Sequence, residues 1–191
     1  MKKIPTLFER EYADHKVVGI KPVLYSPDLQ WVLDGEGIAT EKIDGTCCAL
    51  INNLFYKRYD AKRGKKPPEG AIPCSDPDPV TGHWPHWVQV KNDDPASHWH
   101  IVALENALKE SEGHLANGTY EAVGPHFQGN PHHLDKDILV RHGTKVLDVQ
   151  RTFEGIRDYL EKHEIEGIVF WKDGEPWCKI KRSDFGFKWP V

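Results

Sequence analysis

The chain has 191 residues, 39% hydrophobic and 28% charged, with a formal net charge of −4. That length suffices for one domain with a sizeable core, or at most two small ones, and the balance is soluble and globular. It excludes a global positive field that draws in nucleic acid, so any such binding must use local patches. Four cysteines, with Cys47 and Cys48 adjacent and Cys74 and Cys178 distant, make neither a disulfide framework nor a paired zinc pattern. Reduced thiols and a cytoplasmic location are the corresponding expectations. Lys2 and Lys3 precede an apolar stretch broken by Pro5 and Thr6, which is no signal peptide, and no apolar run reaches membrane-spanning length.

In chain order, residues 1 to 36 read as an irregular lead-in with one or two short strands, since Pro5, Pro22 and Pro27 interrupt brief apolar patches. Ile38 to Lys42 reads as a strand that ends on a lysine. Cys47 to Ile51 and Leu54 to Tyr59 read as a hairpin around Asn52-Asn53, a pair that tolerates positive φ. Residues 64 to 97 hold seven of the fourteen prolines. Such a stretch is a functional lid, a disordered segment or a plain surface excursion, and Trp84, Trp87 and Val88, which argue that part of it packs, favour an ordered flap.

Ser97 is placed to cap a helix from His98 to about Glu112, with Ile101, Leu104 and Leu108 on one face and Gly113 ending it. Thr119 to Val123, Ile138 to Val140 and Lys145 to Val149 read as strands. Thr152 caps a second helix to about His163, buried through Phe153, Ile156, Tyr159 and Leu160. Gly167 to Trp171 and Trp177 to Lys181 form another hairpin, turned by Asp173-Gly174. Strands and two helices without a βαβ rhythm predict an α+β fold with mostly antiparallel sheets.

Several residues along this frame can carry chemistry. Lys42 is a nucleophile only when neutral, and nearby cations or burial favour that form. Lys179 and Lys181 lie two apart on a strand, so they face one side about 6–7 Å from each other and can grip a phosphate together. On their own they would be a solvated strand face. Glu166 opens an apolar strand, where a carboxylate needs a cation or donors. A metal or a lysine ammonium would serve, and a strand-edge surface glutamate is the bland alternative. Glu121 interrupts Tyr120 to Val123, either pointing outward or accepting from ribose hydroxyls. Six of the ten residues from Lys57 to Lys66 are basic, an ordinary solvated loop or a grip on a phosphate backbone. The histidines His83, His86, His98, His100, His126, His132 and His133 match no zinc spacing. His142, before Gly143, is the better ring to lie under a base.

Assembled in order, these residues give the chain a resemblance to the covalent nucleotidyltransferases, the superfamily of ATP-dependent RNA and DNA ligases and mRNA capping enzymes. Within it the chain resembles a small ATP-dependent 5′-3′ RNA ligase group that includes a vertebrate member. The matching blocks are Ala39-Thr40-Glu41-Lys42-Ile43-Asp44-Gly45-Thr46-Cys47-Cys48, Gly82-His83 with Trp87-Val88, Gly129-Asn130-Pro131 and His142-Gly143. Glu166-Gly167-Ile168-Val169 and Gly186-Phe187-Lys188-Trp189-Pro190 complete them. The likeness spans roughly residues 30 to 191.

The resemblance implies a single adenylyltransferase domain over residues 1–191. It would have two mostly antiparallel sheets flanked by helices; as a departure from capping enzymes and typical eukaryotic-type DNA ligases, no C-terminal OB-fold is expected. It implies that Lys42 attacks the α-phosphorus of ATP and leaves a lysyl-AMP, with Asp44 beside it. Glu41, Ile43 and Gly45 would lie around the nucleotide, Arg58 and Glu121 would hold the ribose, and His142 would sit near the base. Glu166 would place the metal, magnesium or manganese, and the α-phosphate. Lys179 and Lys181 would stabilise charge as pyrophosphate leaves. AMP would then pass to an RNA 5′-phosphate, and a 3′-hydroxyl would seal the strand. A DNA nick sealer, a nucleotidyltransferase with another acceptor, and a non-catalytic RNA-binding module on the same fold remain alternatives. No membrane partner is expected.

Overall fold

The computed structural model describes residues 3–14, 16–79 and 81–191. Lys2, named above with the N-terminus, lies outside them. The first strands are β1 (Phe8–Ala13) and β2 (Lys16–Leu24), followed by the short helix α1 (Gln30–Leu33) and β3 (Ile38–Lys42). Then come β4 (Thr46–Ile51), β5 (Leu54–Ala61), β6 (Ile72–Pro73) and β7 (Trp84–Gln89). Helix α2 (His98–Glu110) leads to β8 (Gly118–Val123), β9 (Ile138–Arg141) and β10 (Val146–Leu147). Helix α3 (Phe153–Lys162) precedes β11 (Gly167–Lys172) and β12 (Glu175–Lys181). The result is α+β with three antiparallel sheets among the described residues, one more than the two expected. No helix of the described residues is long and apolar enough to cross a membrane.

The chain divides into two compact units, and one boundary falls between Ile43 and Asp44, inside the lysine motif. The unit of Ile4–Ile43 and Gly143–Val191 holds the β1–β2 hairpin and a four-stranded sheet in the order β10-β3-β11-β12. Its core joins Ile156 and Leu160 of α3 to Ile168, Phe170 and Ile180 of the sheet, all wholly buried. Each such side chain contributes about 1.5–3 kcal/mol of transfer free energy. Thr152 caps α3 through its hydroxyl, which accepts from Gly155 N at 3.0 Å. The buried Arg182 closes the other end, donating to the carbonyls of Leu160 and His163, helix-end acceptors that would otherwise lack partners. The lead-in is more regular than expected. Leu7 and Phe8 are fully buried, and Pro22 is tolerated because a two-stranded ribbon consists only of edges.

The unit containing Asp44–His142 carries a six-stranded sheet in the order β6-β7-β5-β4-β8-β9. Asn52 and Asn53 turn β4 into β5 with φ of 51° and 62°. The proline-rich stretch is anchored by β7, which pairs with both β5 and β6 and buries His86 and Trp87. Helix α2 buries Ala103 and Ala107, small residues that let it approach the sheet closely, while Ile101, Leu104 and Leu108 are half-buried. Ser97 makes no cap to α2. Asp94 instead caps a short 3-10 turn over Pro95–Ser97, and the Ser97 hydroxyl donates to Asp94 at 2.7 Å.

Candidate active site

The arrangement around Lys42 follows from strand register. β11 lies between β3 and β12, pairing Gly167 with Lys42 on one side and with Lys181 on the other. Two residues along, Val169 pairs with Thr40 and with Lys179. Paired positions share a face and faces alternate, so Lys42, Lys179 and Lys181 emerge together, opposite the buried Ile168 and Ile180. Gly167 leaves the row between the lysines without a side chain. A Cβ there would stand 2.3 Å from Ile180 O, which only glycine avoids.

Glu166 precedes β11 and is 6% exposed. Its Oε2 lies 2.5 Å from Lys42 Nζ and its Oε1 3.2 Å from Lys181 Nζ. One carboxylate therefore spans two ammonium groups from different strands. This satisfies the requirement that a buried charge be paired. Among the described residues Lys179 makes no such ion pair, and its ammonium is pushed down to about 8. Burial is the main cause, followed by the charges of Lys42, Lys181 and Arg10, with Glu166 opposing.

Sequence reasoning passed over Arg10 and Asp184. Arg10 Nε and one Nη lie 2.9 and 2.8 Å from the same Oδ1 of Asp184. The other Asp184 oxygen accepts from the backbone N–H of Lys181 at 2.9 Å. Nothing in the local pattern of β1 marks Arg10, because its relevance comes from chain pairing across the whole sequence. The motif neighbours of Lys42 do different work. Glu41 lies 3.4 Å from Lys145 Nζ, and Ile43 is buried.

In the other unit, Glu121 is 9% exposed and accepts from His142 Nε2 at 2.7 Å. The Nδ1 of His142 is buried and makes no hydrogen bond among the described residues. Cys47 pairs with Glu121 across the strands, and donor atoms of Cys47, Glu121 and His142 lie within 4.8 Å of one another. Burial first, and then Glu121, push the Cys47 thiol up to about 12, which favours its neutral form. Gly45 is required by its neighbours, since a Cβ would stand 2.2 Å from Ala122 O. The backbone of Asp44 meets His132 Nε2 at 3.1 Å.

Arg58 is bound to Asp60 at 2.9 Å. Lys57, grouped above with the basic run, is an internal anchor: its Nζ donates to Asp94, Ala96 O and Ser97 at 3.0–3.1 Å. Of the remaining histidines, His126 pairs with the buried Asp137 at 2.7 Å, and His86 Nδ1 lies 2.9 Å from Trp84 O.

The site thus consists of a lysine amine held by an acid that also holds a second lysine, on one face of an antiparallel sheet. No family model matches the chain. Among curated proteins it is similar to RNA ligase 1 of Pongo abelii, 24% identical over 259 aligned positions that take in 96% of this chain and 77% of that protein. It is likewise similar to RNA ligase 1 of Rattus norvegicus, 29% identical over 81% of this chain and 69% of the relative. RNA ligase 1 of Danio rerio is 26% identical over 80% and 68% respectively. These similarities support a family relationship between the chain and RNA ligases.

Proposed function

We propose that the protein is an ATP-dependent RNA ligase that works through a covalent lysyl-AMP, with residues 1–191 acting as one adenylyltransferase domain. The observation that carries this reading is the bridge from Glu166 to both Lys42 and Lys181. The relatives' name supplies the acceptor class, RNA.

In the proposed first step Lys42 Nζ forms a bond to the α-phosphorus of ATP, and the bond from that phosphorus to the pyrophosphate oxygen breaks. The ammonium must first lose a proton, and Glu166, 2.5 Å away, is placed to accept it. Lys179 and Lys181, on the same face, then meet charge that builds on the phosphate oxygens. In the second step the RNA 5′-phosphate attacks the lysyl-AMP and releases the lysine. In the third a 3′-hydroxyl displaces AMP and seals the strand.

Glu121, Arg58 and His142 keep a proposed role in holding ribose and base, with Glu41, Ile43 and Gly45 shaping the backbone around the nucleotide and Asp44 beside the nucleophile. Magnesium or manganese would supply charge neutralisation on the triphosphate. Glu166 does not fit a resident dication by itself, because each of its oxygens already faces an ammonium group. The metal is therefore proposed to arrive on the phosphate oxygens of ATP.

The test is incubation with α-labelled ATP and magnesium, followed by mapping of the labelled residue. Label on Lys42, absent from Lys42→Ala, is expected. An unlabelled wild type across several divalent metals would remove the covalent mechanism. Competition between 5′-phosphorylated RNA and DNA strands separates an RNA from a DNA joiner.

A further inference from the structure

Arg10 enters the lysine cluster from the far end of the sequence. Residues 5 to 7 run alongside β12: Leu7 N donates to Lys179 O at 2.7 Å, and Lys179 N donates to Pro5 O at 3.0 Å. The β1 strand that follows carries Arg10 to Asp184. Asp184 is only 4% exposed and grips Arg10 with one oxygen and the Lys181 backbone with the other. Arg10 and Lys181 are thus fixed in one frame.

The local charge is unbalanced. Lys42, Lys179, Lys181 and Arg10 bring four cations, while Glu166 and Asp184 bring two carboxylates. A half-buried surplus of like charge is unfavourable unless an anion completes it. A guanidinium has five N–H donors in a planar fork suited to phosphate oxygens. Among the described residues, the two contacts to Asp184 leave three of them, on a side chain that is 26% exposed.

We propose that Arg10 is a substrate-binding residue that takes a phosphate group at this cluster, its plane set by Asp184. The proposal rests on the adenylyltransferase reading for the identity of the anion. That anion is a phosphate dianion, drawn either from the β,γ-phosphates of ATP or from the 5′-phosphate of RNA. Arg10 forms no covalent bond in either case. It positions a phosphate beside the lysines.

The test compares wild type with Arg10→Met and Arg10→Lys as full chains. Three reactions are followed: self-adenylation by ATP, discharge of the isolated lysyl-AMP protein by inorganic pyrophosphate, and AMP transfer from it to 5′-phosphorylated RNA. Arg10→Met should raise the half-saturating anion concentration about tenfold or more, with Arg10→Lys between the two because it keeps the charge and loses the fork. A loss confined to adenylation and discharge assigns the ATP phosphates, and a loss confined to transfer assigns the RNA phosphate.

Calorimetry of inorganic pyrophosphate and of a 5′-phosphorylated oligoribonucleotide against unmodified protein reads the same site without catalysis. Binding that depends on Arg10 in a protein that ATP does not label would sustain this proposal and end the ligase reading. Equal affinities of wild type and Arg10→Met for both anions would overturn it. Should Arg10→Met fail to fold, unchanged anion affinities in Arg10→Lys overturn it equally, since a role limited to neutralising Asp184 predicts that result.

Discussion

Replacing Lys179 should stabilise the protein while disabling it. Burial and the cations Lys42, Lys181 and Arg10 bring its ammonium from the ordinary 10.5 down to about 8. At about 1.4 kcal/mol per tenfold change, a drop of that size corresponds to roughly 3 kcal/mol. At pH 7 both the folded and unfolded chains carry the proton, so the folded state bears the full penalty. Between about 8 and 10.5 the folded chain has lost a proton that the unfolded chain still binds, so wild-type stability rises with pH across that window. Lys179→Met keeps the apolar stem and removes the charge. Imperfect repacking takes part of the gain, leaving about 1–2 kcal/mol of extra stability at pH 7.

For a chain of this size each kcal/mol corresponds to about 2–4 °C in Tm. Urea unfolding of both proteins at pH 7 and at steps up to pH 10.5 gives the difference, in which other titrating groups cancel. That difference should fade as pH rises through the window. Self-adenylation by the variant should fall about 10²-fold, because the developing phosphate charge loses a partner. Equal or lower stability at pH 7, or a gain that persists undiminished at pH 10.5, would refute the reasoning.

Glu166→Gln should reduce self-adenylation by about 10²–10⁴-fold, read by single-turnover labelling, since it removes the proton acceptor beside Lys42. A rate within threefold of wild type would dismiss that role. Gly167→Ala forces a Cβ to within 2.3 Å of Ile180 O, and should cost about 1–3 kcal/mol in urea unfolding as β11 and β12 part. His100 is pushed down to about 4, first by burial and then by Lys57. The unfolded chain therefore takes up a proton that the folded one refuses as pH falls below about 6.5, and stability drops by up to roughly 3 kcal/mol by pH 4. His100→Leu should flatten that acid limb in pH-dependent melts, and an unchanged limb would exclude His100 as its source.

The elements that local chemistry dictates were legible in the chain. Thr152 caps its helix, and Asp173 and Gly174 turn the last hairpin with φ of 53° and 77°. Ser97 misled because a competing side chain, Asp94, satisfies the turn just before it. Lys57 read as part of a basic loop, yet three oxygens distant in sequence hold it inside the fold. The lead-in read as irregular because the exposed Val17, Val18 and Val23 blur the two-residue alternation of β2.

By itself the sequence determined that Lys179 and Lys181 share a strand face, because side chains alternate with a period of two whatever the neighbours. It also determined that Lys42 ends one strand and that Glu166 stands just before another. Only the tertiary structure decided that β11 stands between β3 and β12, so that one carboxylate reaches two amines, and that Arg10 meets Asp184 from 174 residues away along the chain. Strand order and register over such separations arise from burying one face of the whole sheet, a global condition that no short window of residues contains.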